Sequence, residues 1–137
     1  MRNGVGEWSW SVDADCRVNA VKMSGVITAT DILAAQHQLA AHASFNPSFA
    51  LIVDLTMAAD ILLTAGEMRS IVTRSPVAVH APCAIVATSI VGTAMAHAYR
   101  AMRQRETGTD VAYVCASMRE AHQWISAQRD RLVYVNR

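Results

Sequence analysis

Two short segments made almost entirely of apolar residues place the strongest constraint on the fold of this chain. Residues 49–53 and 83–88 read as strands buried on both faces, because neither shows the apolar–polar alternation of a half-exposed strand. Strands of this kind are typical of parallel sheets, whose connections are helices packed against the sheet. The two segments therefore predict an α/β domain.

Signals for the starts of helices follow the strands. Residues 28–31, 64–67 and 117–120 have the spacing of a capping box. In this motif a side-chain hydroxyl accepts a hydrogen bond from the third backbone N–H, while an acid accepts one from the N–H of the cap. Ser89 can cap a further, long helix, and Gly108 is well placed to end it. Four helices are predicted.

The N-terminal part predicts an antiparallel edge strand. Trp8, Trp10 and Val12 alternate with polar residues, as in a strand with one wet face. A polar turn leads to a second strand at about residues 18–23, which we expect Gly25 to break. The order is then strand, strand, helix and three strand–helix repeats. It predicts a mixed, mostly parallel five-stranded sheet with an antiparallel N-terminal edge strand and four helices packed on it.

Helical periodicity predicts one buried stripe for each helix. We expect the central strand at residues 49–53 to end at residues 54–56 and lead into a loop. We expect the face of the third helix that carries Arg100, Arg103 and Gln104 to be solvated. The predicted buried residues are Ile32, Ala35, Leu39 and Ala43; Met68, Ile71 and Val72; Val91, Ala94, Met95, Ala98, Tyr99 and Met102; and Ala121, Trp124 and Ile125.

Length and composition predict one domain over residues 1–137, with a core at about 8–126 and a C-terminal tail at 127–137. The net charge of +1, without a basic and aromatic cluster, argues against nucleic-acid binding. No apolar run approaches the length of a membrane span, and residues 1–10 lack the apolar core of a secretion signal. Three cysteines, read as reduced thiols, complete the expectation of a cytoplasmic protein.

The ordered set of short motifs resembles a known family. Residues 25–31, 51–55 and 84–87, Gly92 with Met95, and residues 120–124 follow the order seen in STAS-like proteins. Over about residues 8–126 the chain is most similar to their bacterial sporulation-anti-sigma-antagonist-like subgroup, also called SpoIIAA-like or STAS/SEC14-like. The resemblance implies a compact mixed sheet with helices largely on one face. It also implies a non-enzymatic module that switches protein partners or binds a small ligand.

One stretch departs from the regulatory members of that family. Members that switch by phosphorylation carry an Asp-Ser-Ser-Gly-like turn, whereas residues 60–66 here read Asp-Ile-Leu-Leu-Thr-Ala-Gly. Leu63 and Thr64 replace the serine pair. Thr64 could accept a phosphate at a helix N-terminus, but Glu67 would repel it and the capping role already uses the hydroxyl. The anti-sigma-antagonist role is therefore not carried over to this chain.

The candidate ligand site follows from the geometry of such sheets, in which ligands bind outside the carboxyl ends of the strands. Gly92 stands where the other three helices have an acid, so the helix start could receive an anionic group. The alternative is that Gly92 lets the helix pack closely on the sheet. The predicted ligand-binding residues are Asp54, Thr56, Thr64, Thr88, Ser89 and Gly92.

Two functions stay open. The first is a non-enzymatic module for a protein partner or a small, apolar or anionic ligand, with a homodimer expected because the edge strand could pair with a second copy. The second is a small enzyme with Asp54 as general base and Thr56, Thr64 or Ser89 as polar helpers. An enclosed pocket with Asp54 in its wall would favour the enzyme. A filled sheet end with an exposed apolar face would favour the interaction module.

No cofactor or metal is predicted. No glycine-rich phosphate loop follows any strand. His80 and Cys83 have a possible metal-ligand spacing, but no second pair of ligands accompanies them.

Overall fold

The structure, a computed structural model, describes residues 6–135. Within that range the chain forms five strands and four helices. The strands are β1 (Glu7–Asp13), β2 (Val18–Thr28), β3 (Ala50–Leu62), β4 (Cys83–Val86) and β5 (Ala112–Cys115). The helices are α1 (Ala29–Ala40), α2 (Ala65–Thr73), α3 (Ile90–Thr107) and α4 (Met118–Val135).

The strands form one sheet in the order β1-β2-β3-β4-β5. β1 is antiparallel to β2, and every other neighbouring pair is parallel. The predicted mixed sheet with an antiparallel N-terminal edge strand is therefore confirmed. At the other end of the chain α4 continues to Val135, so most of the predicted tail at residues 127–137 is helical.

The pair β2–β3 is longer than predicted. We expected Gly25 to break β2 and a loop to follow residues 54–56, and both expectations are wrong. Gly25 has a φ of 78°, and the ladder shifts register between Gly25 and Val26 and again between Lys22 and Ser24. Glycine adopts this left-handed conformation without steric cost, so bulges absorb the irregularity and pairing continues to Thr28.

Helices cover both faces of the sheet, but unequally. Alternate residues of β3 point to opposite faces, with Leu51 in one buried cluster and Ile52 in the other. The cluster around Leu51 packs against α1, α2 and α3. The cluster around Ile52 packs against Ala121 and Ile125 of α4. Three helices thus share one face, as the resemblance implies, and α4 lies alone on the other.

The predicted helix starts are confirmed. Thr28 and Thr64 each cap a helix through a complete capping box. Ser89 caps α3 by accepting a hydrogen bond from the third backbone N–H, and Gly108 ends that helix with a φ of 72°. At α4 the hydroxyl of Ser117 accepts from the N–H of Glu120 as expected, whereas the Glu120 carboxylate accepts from Ala116 rather than from Ser117.

The buried stripe of α3 differs from the prediction. Gly92, Ala96 and Arg103 are the buried residues of this helix, while Val91, Ala94 and Ala98 are exposed. The helix is rotated so that positions spaced by three and four residues, 92, 96, 99 and 103, face the sheet. The expectation that Arg103 is solvated is therefore wrong: only 3% of its surface is exposed.

In α1 the predicted stripe extends one residue too far. Ala35 and Leu39 are buried and Ile32 is partly buried, but Ala43 lies beyond the end of the helix and is exposed. In α2 the three predicted residues are buried. No helix in the described part of the chain is long and apolar enough to cross a membrane.

Candidate functional site: an apolar cavity beside the strand ends

The carboxylate of Asp54, the predicted general base, is hydrogen-bonded to a neighbouring residue of its own strand. Its carboxylate oxygen accepts hydrogen bonds from the N–H of Thr56 at 2.9 Å and from the Thr56 hydroxyl at 2.7 Å. Because side chains alternate along a strand, Asp54 points away from the face to which Val53 and Leu55 contribute. The sequence-predicted pair Asp54 and Thr56 therefore lies on the sheet face opposite the main cavity of the protein.

The other strand-end residues form the start of α3. Thr88 and Ser89 are exposed, and the Ser89 hydroxyl accepts a hydrogen bond from the N–H of Gly92 at 2.9 Å. A Cβ at Gly92 would lie 3.0 Å from that hydroxyl and 3.4 Å from the Cβ of Ala87. The N–H of Gly92 is thus already bonded, and the glycine allows close contact between helix and sheet.

Thr64 does not lie with the other predicted residues. β3 runs on to Leu62, so about eight strand residues, or roughly 25 Å, separate Asp54 from the start of α2. The Thr64 hydroxyl accepts a hydrogen bond from the N–H of Glu67 at 3.1 Å. The structure therefore brings together Asp54 with Thr56 and Ser89 with Gly92, but not all six residues.

The main cavity of the described structure lies between the sheet and the three helices that share one face. Its volume is about 100 Å³. Nearly all of its wall is apolar, and three of the wall side chains are the flexible thioethers Met23, Met68 and Met95. Neither Asp54 nor another carboxylate is among the wall residues. The remaining sheet residues in the wall are Val21, Ile27, Leu51, Val53, Leu55, Ile61 and Ile85.

The polar groups in this wall belong to Gln36, Ser75 and Tyr99. The amide nitrogen of Gln36 donates a hydrogen bond to the carbonyl of Ile71 at 3.0 Å, but its oxygen has no partner within the described protein. The Ser75 hydroxyl, which follows α2, is buried and also lacks a partner there. Buried polar atoms are nearly always hydrogen-bonded in folded proteins, so two unpaired oxygens in one apolar cavity require an explanation.

A second, much smaller cavity of about 10 Å³ adjoins the first. Ser75, Val77 and Tyr99 line both cavities, and Arg103 lines only the smaller one. One terminal nitrogen of Arg103, Nη2, donates to the carbonyl of Ala81 at 2.8 Å. It also approaches the carbonyls of two nearby loop residues, Ala78 at 3.4 Å and Val79 at 3.2 Å. The other terminal nitrogen, Nη1, has no partner in the described range.

Sequence reasoning missed Gln36, Ser75 and Arg103, although a signal existed for two of them. Gln36 lies four residues after Ile32 and one residue after Ala35, on the inner side of α1. Arg103 continues the spacing of Ala96 and Tyr99. Ser75 precedes a proline outside any helix, and nothing in the sequence marks it as buried.

The two residues with a possible metal-ligand spacing, His80 and Cys83, lie in different environments. His80 is exposed, whereas Cys83 is fully buried in β4. Among residues 6–135 no group of three or more His, Cys, Asp or Glu side chains could hold a metal ion. Burial raises the pKa of the Cys83 thiol, which suits a packing role better than a ligand.

Exposed apolar side chains follow the carboxyl ends of three neighbouring strands. Met57 is 59% exposed after the part of β3 that pairs with β4, Ile90 is 90% exposed after β4, and Met118 is 36% exposed after β5. Val91, beside Ile90, is 40% exposed. This edge of the sheet, called the apolar edge below, consists of Met57, Ile90, Val91 and Met118.

Comparison with known proteins gives evidence on the fold alone. No family model matches the sequence, and no curated protein matches it. Among solved structures, the chain is similar to an uncharacterised protein of the DUF3478 family with a SpoIIAA-like fold, from Shewanella loihica PV-4. The two superpose with a TM-score of 0.57 at 16% identity, over 91% of this chain and 98% of the other. Together with the strand order and the placement of the helices, this similarity shows that the chain has a SpoIIAA-like fold.

Proposed function

We propose that this protein is a non-enzymatic module that binds a small, largely apolar ligand in the cavity between the sheet and α1, α2 and α3. The observation that carries the proposal is an apolar cavity of about 100 Å³ whose wall contains two polar oxygens without a hydrogen-bond partner among residues 6–135. Ligand sites are typically concave and mostly apolar with a few polar groups, and this cavity has the same character. A ligand would fill the volume and could supply a hydrogen-bond partner for one or both oxygens.

The size and the wall of the cavity define the ligand. An engineered cavity of roughly 150 Å³ lined by apolar side chains binds benzene, so a cavity of about 100 Å³ accepts a ring or a short chain after small adjustments. Met23, Met68 and Met95 can supply those adjustments, since unbranched thioethers change rotamer easily. The Gln36 oxygen is an acceptor, which favours a ligand with a hydrogen-bond donor near α1.

The enzyme alternative receives less support. A general base needs a substrate within hydrogen-bond reach, and the Asp54 carboxylate instead accepts two hydrogen bonds from Thr56 on the face away from the cavity. An enclosed pocket with Asp54 in its wall was the observation that would favour an enzyme, and the main cavity lacks it. The ligand-binding module is therefore preferred.

The test follows the methyl groups of methionine by NMR while xenon or benzene is added to protein labelled at those methyls. Met23, Met68 and Met95 line the cavity, whereas Met57 and Met118 are exposed at the apolar edge. We expect the first three signals to shift with saturation and the last two to stay in place. Equal shifts of all five signals, or none, would contradict a ligand cavity. Native mass spectrometry of freshly purified protein would show whether a ligand is retained.

A matched pair of variants separates binding in the cavity from binding elsewhere. Ala35 lines the cavity and is 1% exposed, whereas Ala40 lies on the same helix and is exposed. Ala35→Leu should fill part of the cavity and abolish the shifts, while Ala40→Leu should leave them unchanged. Unchanged shifts in Ala35→Leu would place the probe outside the cavity.

The apolar edge favours a second candidate, a protein partner, and a second copy of this chain is the simplest one to test. Ile90, at 90% exposed, is the most solvent-exposed large apolar side chain of the described part. Exposed apolar patches mark interaction sites, and the four exposed side chains of the apolar edge make it a candidate for such a surface. Sedimentation equilibrium should show a dimer that Ile90→Ser weakens. A monomer at high concentration would rule out self-association, both here and through the edge strand β1.

A further inference from the structure

The most unusual charged group of the protein is a buried arginine without a carboxylate. Arg103 is 3% exposed, and its Nη2 donates hydrogen bonds to the backbone carbonyls of residues 78, 79 and 81. The two acids that follow it in the chain are already paired: Glu106 with Arg69 at 3.1 Å, and Asp110 with Arg100 at 2.9 Å. A buried charge that is not paired with an opposite charge is costly, so Arg103 is a strong candidate to receive an anion.

Side chains that carry hydrogen-bond donors line the smaller cavity. Arg103, Ser75 and Tyr99 all line the smaller cavity, and the last two also line the main one. Nη1 of Arg103 and the Ser75 hydroxyl have no partners within the described residues. Burial raises the pKa of the Tyr99 phenol, so this group stays protonated and can donate a hydrogen bond. A guanidinium, a hydroxyl and a phenol make a donor-rich end to an apolar space.

We propose that the ligand is a small apolar carboxylate, with its ring or short chain in the main cavity and its carboxylate against Arg103 Nη1 and the Ser75 hydroxyl. This inference rests on the proposed function and specifies the head group of the ligand. Arginine donors suit planar carboxylates well and form charge-assisted hydrogen bonds with them. The smaller cavity, about 10 Å³, has room for roughly one water-sized group, which favours a carboxylate oxygen over a bulkier tetrahedral phosphate.

The experiment compares benzoate with benzamide, a neutral molecule of nearly the same size and shape, by calorimetry and by the methionine methyl signals. A charge-assisted hydrogen bond to a buried group predicts that benzoate binds about tenfold to a hundredfold more tightly than benzamide. Arg103→Met should reduce this ratio to about one. Arg105→Met, a change at an exposed arginine of the same helix, should leave the ratio unchanged.

Ser75→Ala keeps the test decisive if Arg103→Met does not fold, because the Ser75 hydroxyl makes no hydrogen bond with any residue in the range 6–135. This variant should weaken benzoate binding about tenfold and change benzamide binding less, as expected for a hydrogen bond to a charged ligand. Equal binding of benzoate and benzamide by the wild-type protein would overturn the carboxylate inference and leave the apolar cavity intact. If neither molecule binds and xenon shifts no methyl signal, the proposed function fails as well.

Discussion

Replacing Ser75 by alanine should make the unliganded protein more stable, which is the reverse of the usual effect of a mutation in a folded domain. The hydroxyl of Ser75 is buried without a hydrogen-bond partner in the described structure. An unpaired buried hydroxyl costs about 1–3 kcal/mol in mutational series. Removing the oxygen leaves a void of roughly 10 Å³, which costs only about 0.2 kcal/mol. Because the residue itself is only partly buried, we expect a gain near 1 kcal/mol.

Urea denaturation followed by tryptophan fluorescence measures this free energy of unfolding, and a thermal scan should show a rise in Tm of roughly 3–5 °C. Ser89→Ala is the matched control. The Ser89 hydroxyl accepts a hydrogen bond from Gly92 at 2.9 Å and caps α3, so its loss should cost about 1 kcal/mol. Both variants remove one serine oxygen, yet the free energies should change in opposite directions. If Ser75→Ala destabilises the protein by more than about 0.5 kcal/mol, the hydroxyl has a structural partner and the reasoning fails.

Two further predictions concern the bulged strand and the thiols. Gly25→Ala should lower the free energy of unfolding by about 1–2 kcal/mol, because Gly25 has a φ of 78°. Gly66→Ala in α2, where an added Cβ meets nothing within 4 Å, should raise it by roughly 0.5–1 kcal/mol. Urea denaturation measures both changes, and equal effects would argue against the bulge at Gly25. With Ellman's reagent one thiol should react in the folded protein, the exposed Cys16, and the two buried thiols only after denaturation. A hydrogen bond with Asp13 raises the pKa of the Cys16 thiol. The thiolate fraction, and with it the labelling rate, should therefore keep increasing as the pH is raised above 7. A labelling rate that is already at its maximum at pH 7 would contradict this assignment.

The local signals in the sequence were strong where short-range chemistry decides the outcome. Thr28, Thr64 and Ser89 cap helices because a hydroxyl at that position bonds a nearby backbone N–H, a contact that spans only three residues. The apolar segment at residues 49–53 became the central strand for a similar reason, since a strand buried on both faces needs apolar side chains on both.

Strand ends and helix rotation were less predictable. From the sequence, Gly25 is predicted to end strand β2. In the structure the long pairing of β2 with β3 keeps the chain extended through a bulge at this residue. The stripe of α3 was predicted from its apolar side chains, yet the helix turns Arg103 inward because carbonyls of a distant loop accept its hydrogen bonds. Both outcomes depend on partners more than twenty residues away, which no local pattern contains.

The candidate site shows the same division. The strand-end residues Asp54, Thr56, Ser89 and Gly92 could be named from the sequence because the carboxyl ends of parallel strands meet at one edge. Their hydrogen bonds, however, are local and mutual. The cavity, by contrast, is bounded by side chains from three strands (β2, β3 and β4) and three helices.

By itself the sequence determined the class of fold, the order of the elements and the helix caps, because each depends on periodicity or on contacts within a few residues. Only the tertiary structure decided that an apolar cavity remains between the sheet and α1, α2 and α3. It also decided that Gln36, Ser75 and Arg103 border this cavity or its smaller neighbour with polar atoms that have no partner in the described part of the chain. The physical reason is that packing volume and hydrogen-bond satisfaction are properties of groups brought together from distant parts of the chain.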